Sequence, residues 1–253
     1  MLLTVDIGNT NIKLGLYEGS LRLAFDMLDS KPVDFRSFIL AFLYKSNIRE
    51  AQLDDAILSS VVPSLTGLVI SALEEILKKE PIVIDNDHHY GIEIDKSITS
   101  EIGPDLLVTC AYAYQIFKKE LLIVSLGTAT VIAHVNNRGV FKGCLIAPGF
   151  ASMASTIFNK AALLPEFKPK KLNSFIGTNT IDCMNIGVYD GFIGMVRYLI
   201  SGIKQEIKSS PIIIGCGGAG KEVAPYIAEL QNYDADLVST GLNYIYNKYI
   251  KNH

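Results

Sequence analysis

Leu2-Leu3-Thr4-Val5-Asp6-Ile7-Gly8-Asn9-Thr10-Asn11-Ile12-Lys13 opens as an apolar run, breaks at a glycine and turns apolar again with a cation behind the break. Leu121-Leu122-Ile123-Val124-Ser125-Leu126-Gly127-Thr128-Ala129-Thr130 repeats that pattern at an offset of 119 residues, from Asp6 to Ser125. Each reads as strand, glycine turn, strand. A second polar turn follows in each copy, Glu18-Gly19 and residues 136–139, and then a third strand, residues 21–27 and 140–146. Each copy is therefore an antiparallel meander. The first continues with a helix over 34–44, a buried strand over 55–62 and a helix capped by Ser64 that runs to about Lys79. A strand over 81–84 and a helix over 106–119 complete it. The second continues with helices over 152–163 and 183–208, a strand over 211–214, a glycine turn and a helix over 221–230. A terminal amphipathic helix carries Tyr244, Tyr246 and Tyr249. The expected architecture is α/β, in two duplicated halves, 1–117 and 118–253, each a mixed sheet with flanking helices.

The first turn carries the most chemistry. A buried strand delivers Asp6 and Ile7 to Gly8, where backbone amides can approach an anion closely. Asn9, Thr10 and Asn11 add neutral donors, and Ile12 leads to Lys13, which brings a cation back along the next strand. A carboxylate beside phosphate oxygens makes sense with Mg²⁺ between them, so Asp6 is the expected metal-side residue. An ordinary Asn/Gly hairpin would need no acid at the end of a buried strand. Ser125 to Thr130 is the counterpart, with Thr128 offering an amide and a hydroxyl to the other side of a phosphate chain.

A third glycine turn, Gly215-Cys216-Gly217-Gly218-Ala219-Gly220, matches G-x-G-x-x-G literally and is followed by Lys221. A P-loop needs a Ser or Thr where this chain has Glu222, and a Rossmann unit needs more strand-helix pairs than remain. Two readings stay open. Gly215, Gly217 and Gly218 either let a flat adenosine lie against backbone, or they make a tight turn with no ligand.

Three glycine turns in this order resemble the actin, hexokinase and heat-shock chaperone superfamily. Nearly the whole chain resembles the type III pantothenate kinases within it, which include Bvg accessory factor-like proteins. The resemblance rests on Asp6 to Lys13, Ser59-Ser60-Val61-Val62-Pro63, Gly103-Pro104-Asp105, Gly127-Thr128-Ala129-Thr130 and Gly143 to Gly149. Ala161-Ala162-Leu163-Leu164-Pro165 and Gly177-Thr178-Asn179-Thr180 complete it. It implies ribonuclease H-like halves with a cleft between them, and a cytoplasmic homodimer that phosphorylates pantothenate with ATP and Mg²⁺. It implies nucleotide contacts from Asp6 to Lys13 and Thr128, a catalytic base in Asp105, and substrate contacts from Gly103, Pro104 and Thr180. Read from the residues alone, Asp105 is equally a helix N-cap.

Three positions depart from the family pattern. The Arg that normally follows the catalytic Asp and grips pantothenate is Leu106. The usual substrate-touching Tyr falls at Lys96, whose charge can partly replace the lost Arg. The Asp that binds a monovalent cation (K⁺ or NH₄⁺) is Ser125, which removes the anionic ligand. A divergent pantothenate kinase, a kinase for another hydroxyl acid, and a nucleotide-binding regulatory protein all accommodate these changes.

Composition excludes other classes. With a net charge of −3 and no Lys/Arg cluster, a nucleic-acid partner is not expected. The start meets Asp6 without a basic region, and no apolar run reads as long enough to span a membrane. Cys110, Cys144, Cys183 and Cys216 are far apart, as in a chain with reduced thiols and no zinc site. His88-His89 reads as a solvated turn, and His134 as a packed strand residue. Arg197 serves either core packing or a dimer interface.

Overall fold

The computed structural model describes residues 1–30, 34–99, 102–160 and 167–251, with side chains omitted for 157–160. The chain divides into two compact units, Met1–Phe117 with Leu237–His253, and Lys118–Asp236.

In the first unit, β1 (Leu2–Ile7), β2 (Asn11–Glu18) and β3 (Leu21–Asp29) form the meander. α1 (Phe35–Lys45), β4 (Asp55–Ser60), α2 (Pro63–Leu77) and the short β5 (Ile82–Val83) and β6 (Glu93–Ile94) follow. α3 (Pro104–Phe117) ends this part of the chain. The sheet order is β3-β2-β1-β4-β5. β1 runs antiparallel to β2 and parallel to β4. Strand alternation sorts the residues of β1. Leu3, Val5 and Ile7 join Phe35, Ile39, Leu65, Val69 and Leu73 in one apolar core under α1 and α2. Thr4 and Asp6 face the other way, where α6 (Leu237–Ile245) lies. There the Thr4 and Ser239 hydroxyls are 2.7 Å apart, and the Tyr17 hydroxyl is 3.0 Å from Ser239. Such buried bonds contribute about 0.5–1.5 kcal/mol each. Tyr246, just past α6, donates to Asp55 at 2.6 Å.

The second unit repeats the plan. β7 (Leu121–Leu126), β8 (Ala129–Val135) and β9 (Val140–Pro148) form its meander. α4 (Phe150–Lys160), α5 (Thr180–Ile207), β10 (Ile212–Cys216) and β11 (Asn232–Asp234) follow. The order β11-β10-β7-β8-β9 mirrors the first sheet, with β7 antiparallel to β8 and parallel to β10. Leu122, Val124, Leu126 and Ile132 pack with Phe150, Val188, Phe192 and Val196 beneath α4 and α5.

Several boundaries differ from expectation. α2 starts at Pro63 as its first residue with Val62 before it, so Ser64 lies inside the helix and does not cap it. Proline suits that first position because its missing N–H would have no partner there. The helix expected over 221–230 is replaced by two short 3₁₀ turns, Gly218–Lys221 and Ala224–Tyr226. Pro225 lacks the amide a longer helix would need. α5, at 28 residues and a mean hydropathy of 1.2 over its most apolar stretch, is long and apolar enough to cross a membrane by length and composition alone. Its apolar face, Val188, Phe192, Val196 and Ile200, is instead core of the second unit. The stretch 161–165 lies outside the described residues.

Candidate active site

The C-terminal ends of parallel strands are where open α/β sheets gather ligands, and Asp6 stands at that end of β1. It is 9% exposed. Cross-strand pairing sets Lys13 on β2 opposite Asp6, and Ser59 on β4 beside it, so the three share a face. Lys13 Nζ is 4.0 Å from Asp6 Oδ2, with both side chains nearly buried. The turn closes through Gly8 N donating to Asn11 O at 3.0 Å. Ser30 fastens it from the end of β3, donating through its amide to Thr10 O at 2.7 Å and through its hydroxyl to Gly8 O at 2.6 Å. Ile7 and Ile12 are buried and anchor the turn, while Asn9 and Thr10 are exposed. With its nitrogen toward Asp29, the Asn11 amide donates to Asp29 Oδ1 at 3.2 Å.

Asp105 belongs to the same neighbourhood. It sits in the first turn of α3, after Pro104, with Gly103 O accepting from Leu106 N at 3.0 Å and Leu107 N at 3.2 Å. Gly103 therefore occupies the cap position, and the N-cap reading of Asp105 falls. Its Oδ1 accepts from Leu106 N at 2.9 Å. Burial raises the Asp105 carboxyl, while that amide and the Lys13 charge pull the other way. Lys13 thus acts on two carboxylates, Asp6 and Asp105. Asp105 in turn helps burial and Asp85 push the Tyr90 phenol up. Tyr90 is buried and donates to Asp85 O at 2.6 Å. Tyr90 was not singled out by sequence, since a lone Tyr in a polar loop carries no pattern, and Ser59 entered only within the Ser59 to Pro63 stretch, with no role of its own.

The other expected residues are more scattered. Leu106 is half-buried on α3. Lys96 is exposed in a turn where Ser97 donates twice to Asp95 Oδ1, at 2.9 Å and 2.7 Å. In the second unit, Thr128 is exposed and Ser125 half-buried, in a turn closed by Gly127 N donating to Ala129 O at 3.1 Å. Thr180 is exposed as the first residue of α5, behind Asn179, whose Oδ1 accepts from Asp182 N at 2.9 Å.

At the third glycine turn, Gly217 has φ +95°, and a Cβ there would lie 2.6 Å from Leu126 O. Gly215 is pressed by Tyr233 and Leu230. Packing alone therefore accounts for these two glycines. Gly218 is exposed with open space around it, so packing does not explain it.

His134 Nε2 lies 2.9 Å from Glu120 Oε1, and Arg197 Nε donates to both oxygens of Glu229 at 2.9 Å and 3.0 Å. His88 Nδ1 is 2.7 Å from Asp85 Oδ1. Among the described residues no three His, Cys, Asp or Glu side chains gather to hold a metal. A magnesium ion at Asp6 would thus take most of its ligands from phosphate and water, as Mg²⁺ commonly does.

Among solved structures, a chain described as a Baf family transcriptional activator from Campylobacter jejuni superposes with a TM-score of 0.62 at 20% identity, covering 97% of this chain and 98% of that one. The activator of 2-hydroxyisocaproyl-CoA dehydratase from Clostridium difficile, solved with bound ADPNP, superposes at 0.59 and 12% identity, covering 99% and 96%. These share the fold, two mixed α/β units of the actin-like type. Type III pantothenate kinase sequences from Citrifermentans bemidjiense and Geotalea uraniireducens are each 33% identical to this chain, covering 98% of it and 99% and 98% of their own lengths. The profile of the family described as type III pantothenate kinase matches residues 2–202. The chain belongs to the type III pantothenate kinase family.

Proposed function

We propose that the protein transfers the γ-phosphoryl group of ATP to the primary hydroxyl of pantothenate, giving 4′-phosphopantothenate, the first step toward coenzyme A. The observation that carries this reading is the convergence of Asp6, Lys13 and Asp105 on one face of the first unit. Phosphoryl transfer asks for positioning and charge neutralisation, and that face supplies both signs of charge beside a glycine turn.

The roles follow from the chemistry. Lys13 and the amides of residues 8–11 bind and neutralise phosphate oxygens. Asp6 orients a magnesium ion, which when bound offsets charge on the phosphates. Asp105 accepts the hydroxyl proton as the acceptor oxygen bonds to phosphorus and ADP leaves. We assign acceptor contacts to Gly103, Pro104, Leu106 and Lys96 of the first unit and to Thr180 of the second, and nucleotide contacts to Thr128 and the open Gly218 turn. Ser125 offers a monovalent cation no carboxylate, so turnover is independent of K⁺ and NH₄⁺. The enzyme is read as a cytoplasmic homodimer, as the family resemblance implies.

ADP release measured with ATP and Mg²⁺, with and without pantothenate, in potassium and potassium-free buffer, checks this reading. Pantothenate-dependent ADP at equal rates in both buffers is expected. Tight ATP binding with no pantothenate-dependent ADP would favour the regulatory alternative, or another hydroxyl acid, which the Leu106 departure accommodates.

The pH profile is a second check. Because burial raises Asp105 above the ordinary aspartate value of 3.8, the acid limb of kcat/KM should fall with a midpoint above 3.8. A limb at or below that value would place the base elsewhere.

A further inference from the structure

Ser59 is fully buried, and its hydroxyl has no hydrogen-bond partner among the described residues. A buried hydroxyl without a partner is costly, so a serine kept there needs a reason. Alanine would fill a similar space at no such cost. Its neighbour Ser60 shows the ordinary outcome, sharing a 2.7 Å bond with Thr66 and accepting from Val62 N at 3.1 Å.

The position of Ser59 supplies the reason. It pairs in register with Asp6 on the adjacent parallel strand, so both side chains leave the sheet on the same face. Two residues farther on, Val61 lies 3.5 Å from where a Cβ on Gly103 would stand, and the Asp105 carboxylate occupies that same spot. The hydroxyl is thus on the one buried face that carries Asp6, Lys13 and Asp105. Lys13 Nζ stands 4.0 Å from Asp6 Oδ2, long for an ion pair, and a carboxylate accepts several donors at once, so a hydroxyl on the same face can add to those Asp6 already has.

We propose that Ser59 is a positioning residue. Its hydroxyl is held unpaired in the free protein and donates to the Asp6 carboxylate once Lys13 is drawn to bound phosphate, fixing Asp6 for the magnesium side of the nucleotide. This rests on the nucleotide reading of the Asp6 turn. The partner is satisfied only in the loaded state, so the serine costs the free fold stability and returns it on binding.

Thermal unfolding of the full chain, free, with ATP alone and across a magnesium titration with ATP, tests this with Ser59→Ala and Ser59→Cys. Cysteine keeps nearly the same volume and loses the strong donor. The expected result is a free protein at least as stable as the wild type in both variants, and unchanged stabilisation by ATP without magnesium. The magnesium concentration for half-maximal stabilisation should rise about tenfold in both. A wild-type magnesium response in Ser59→Ala or Ser59→Cys overturns the proposal and makes Ser59 a packing residue. If the wild type itself shows no stabilisation by ATP, the nucleotide reading fails and this inference with it.

Discussion

Asp105→Asn should lower pantothenate-dependent ADP release about a thousandfold, within the range general-base catalysis supplies, while ATP affinity stays unchanged. Asparagine keeps the shape and can still accept from Leu106 N, but it cannot take the proton of the attacking hydroxyl. The fold should tolerate the change and gain from it. The raised carboxyl binds its proton more tightly in the folded state than in the unfolded one. Its favourable contribution is therefore present at low pH and is lost as the pH rises through the folded-state value. At neutral pH the ionised, partly buried group costs stability, and asparagine removes that cost. Steady-state kinetics paired with thermal unfolding read both effects. A variant that turns over at the wild-type rate would remove Asp105 from the chemistry. One that loses activity only in proportion to its folded fraction would make it structural.

The second large effect belongs to the other unit. A methyl group on Gly149 would collide with the carbonyl oxygens of Thr128 and Gly127, and would stand 2.7 Å from Thr128 C. These are backbone atoms, so no side chain can swing aside. Ser152 also donates to Thr128 O at 2.9 Å, which ties the turn to α4 from the same side. Gly149→Ala should cost about 3 kcal/mol or more, at the upper end of overpacking effects, and weaken ATP binding by displacing the turn. Denaturant unfolding and nucleotide titration measure the two. Wild-type stability would mean that the turn yields more easily than its packing indicates.

The duplication was legible because strand periodicity and a glycine break survive in both copies. Its detail was not. Ile7 pairs with Ile12 in the first hairpin, whereas Leu126 pairs with Thr130 in the second. The second turn is therefore one residue shorter, and a gapless match that works up to Gly8 and Gly127 slips beyond them. In true register the counterpart of Lys13 is Val131, so the cation exists in one copy only. Asp6 and Lys13 were readable as a pair because they flank one turn. The approach of Asp105 was not, since nothing local in residues 103–106 states which sheet face α3 covers. Only the family resemblance pointed there. Ser59 stood in a stretch that carries the resemblance, but its own role escaped for the opposite reason. Its significance is a missing bond, and absence of a partner is a property of packing alone.

The grouping of Leu237–His253 with Met1–Phe117 also orders events during synthesis. All of the second unit leaves the ribosome before the segment that covers Thr4 and Tyr17 exists. At about 5–20 residues per second, the first sheet waits on the order of ten seconds with those hydroxyls unpaired by Ser239. The later-made unit can finish first, and the N-terminal part of the chain is the one exposed to chaperones and proteases until α6 arrives.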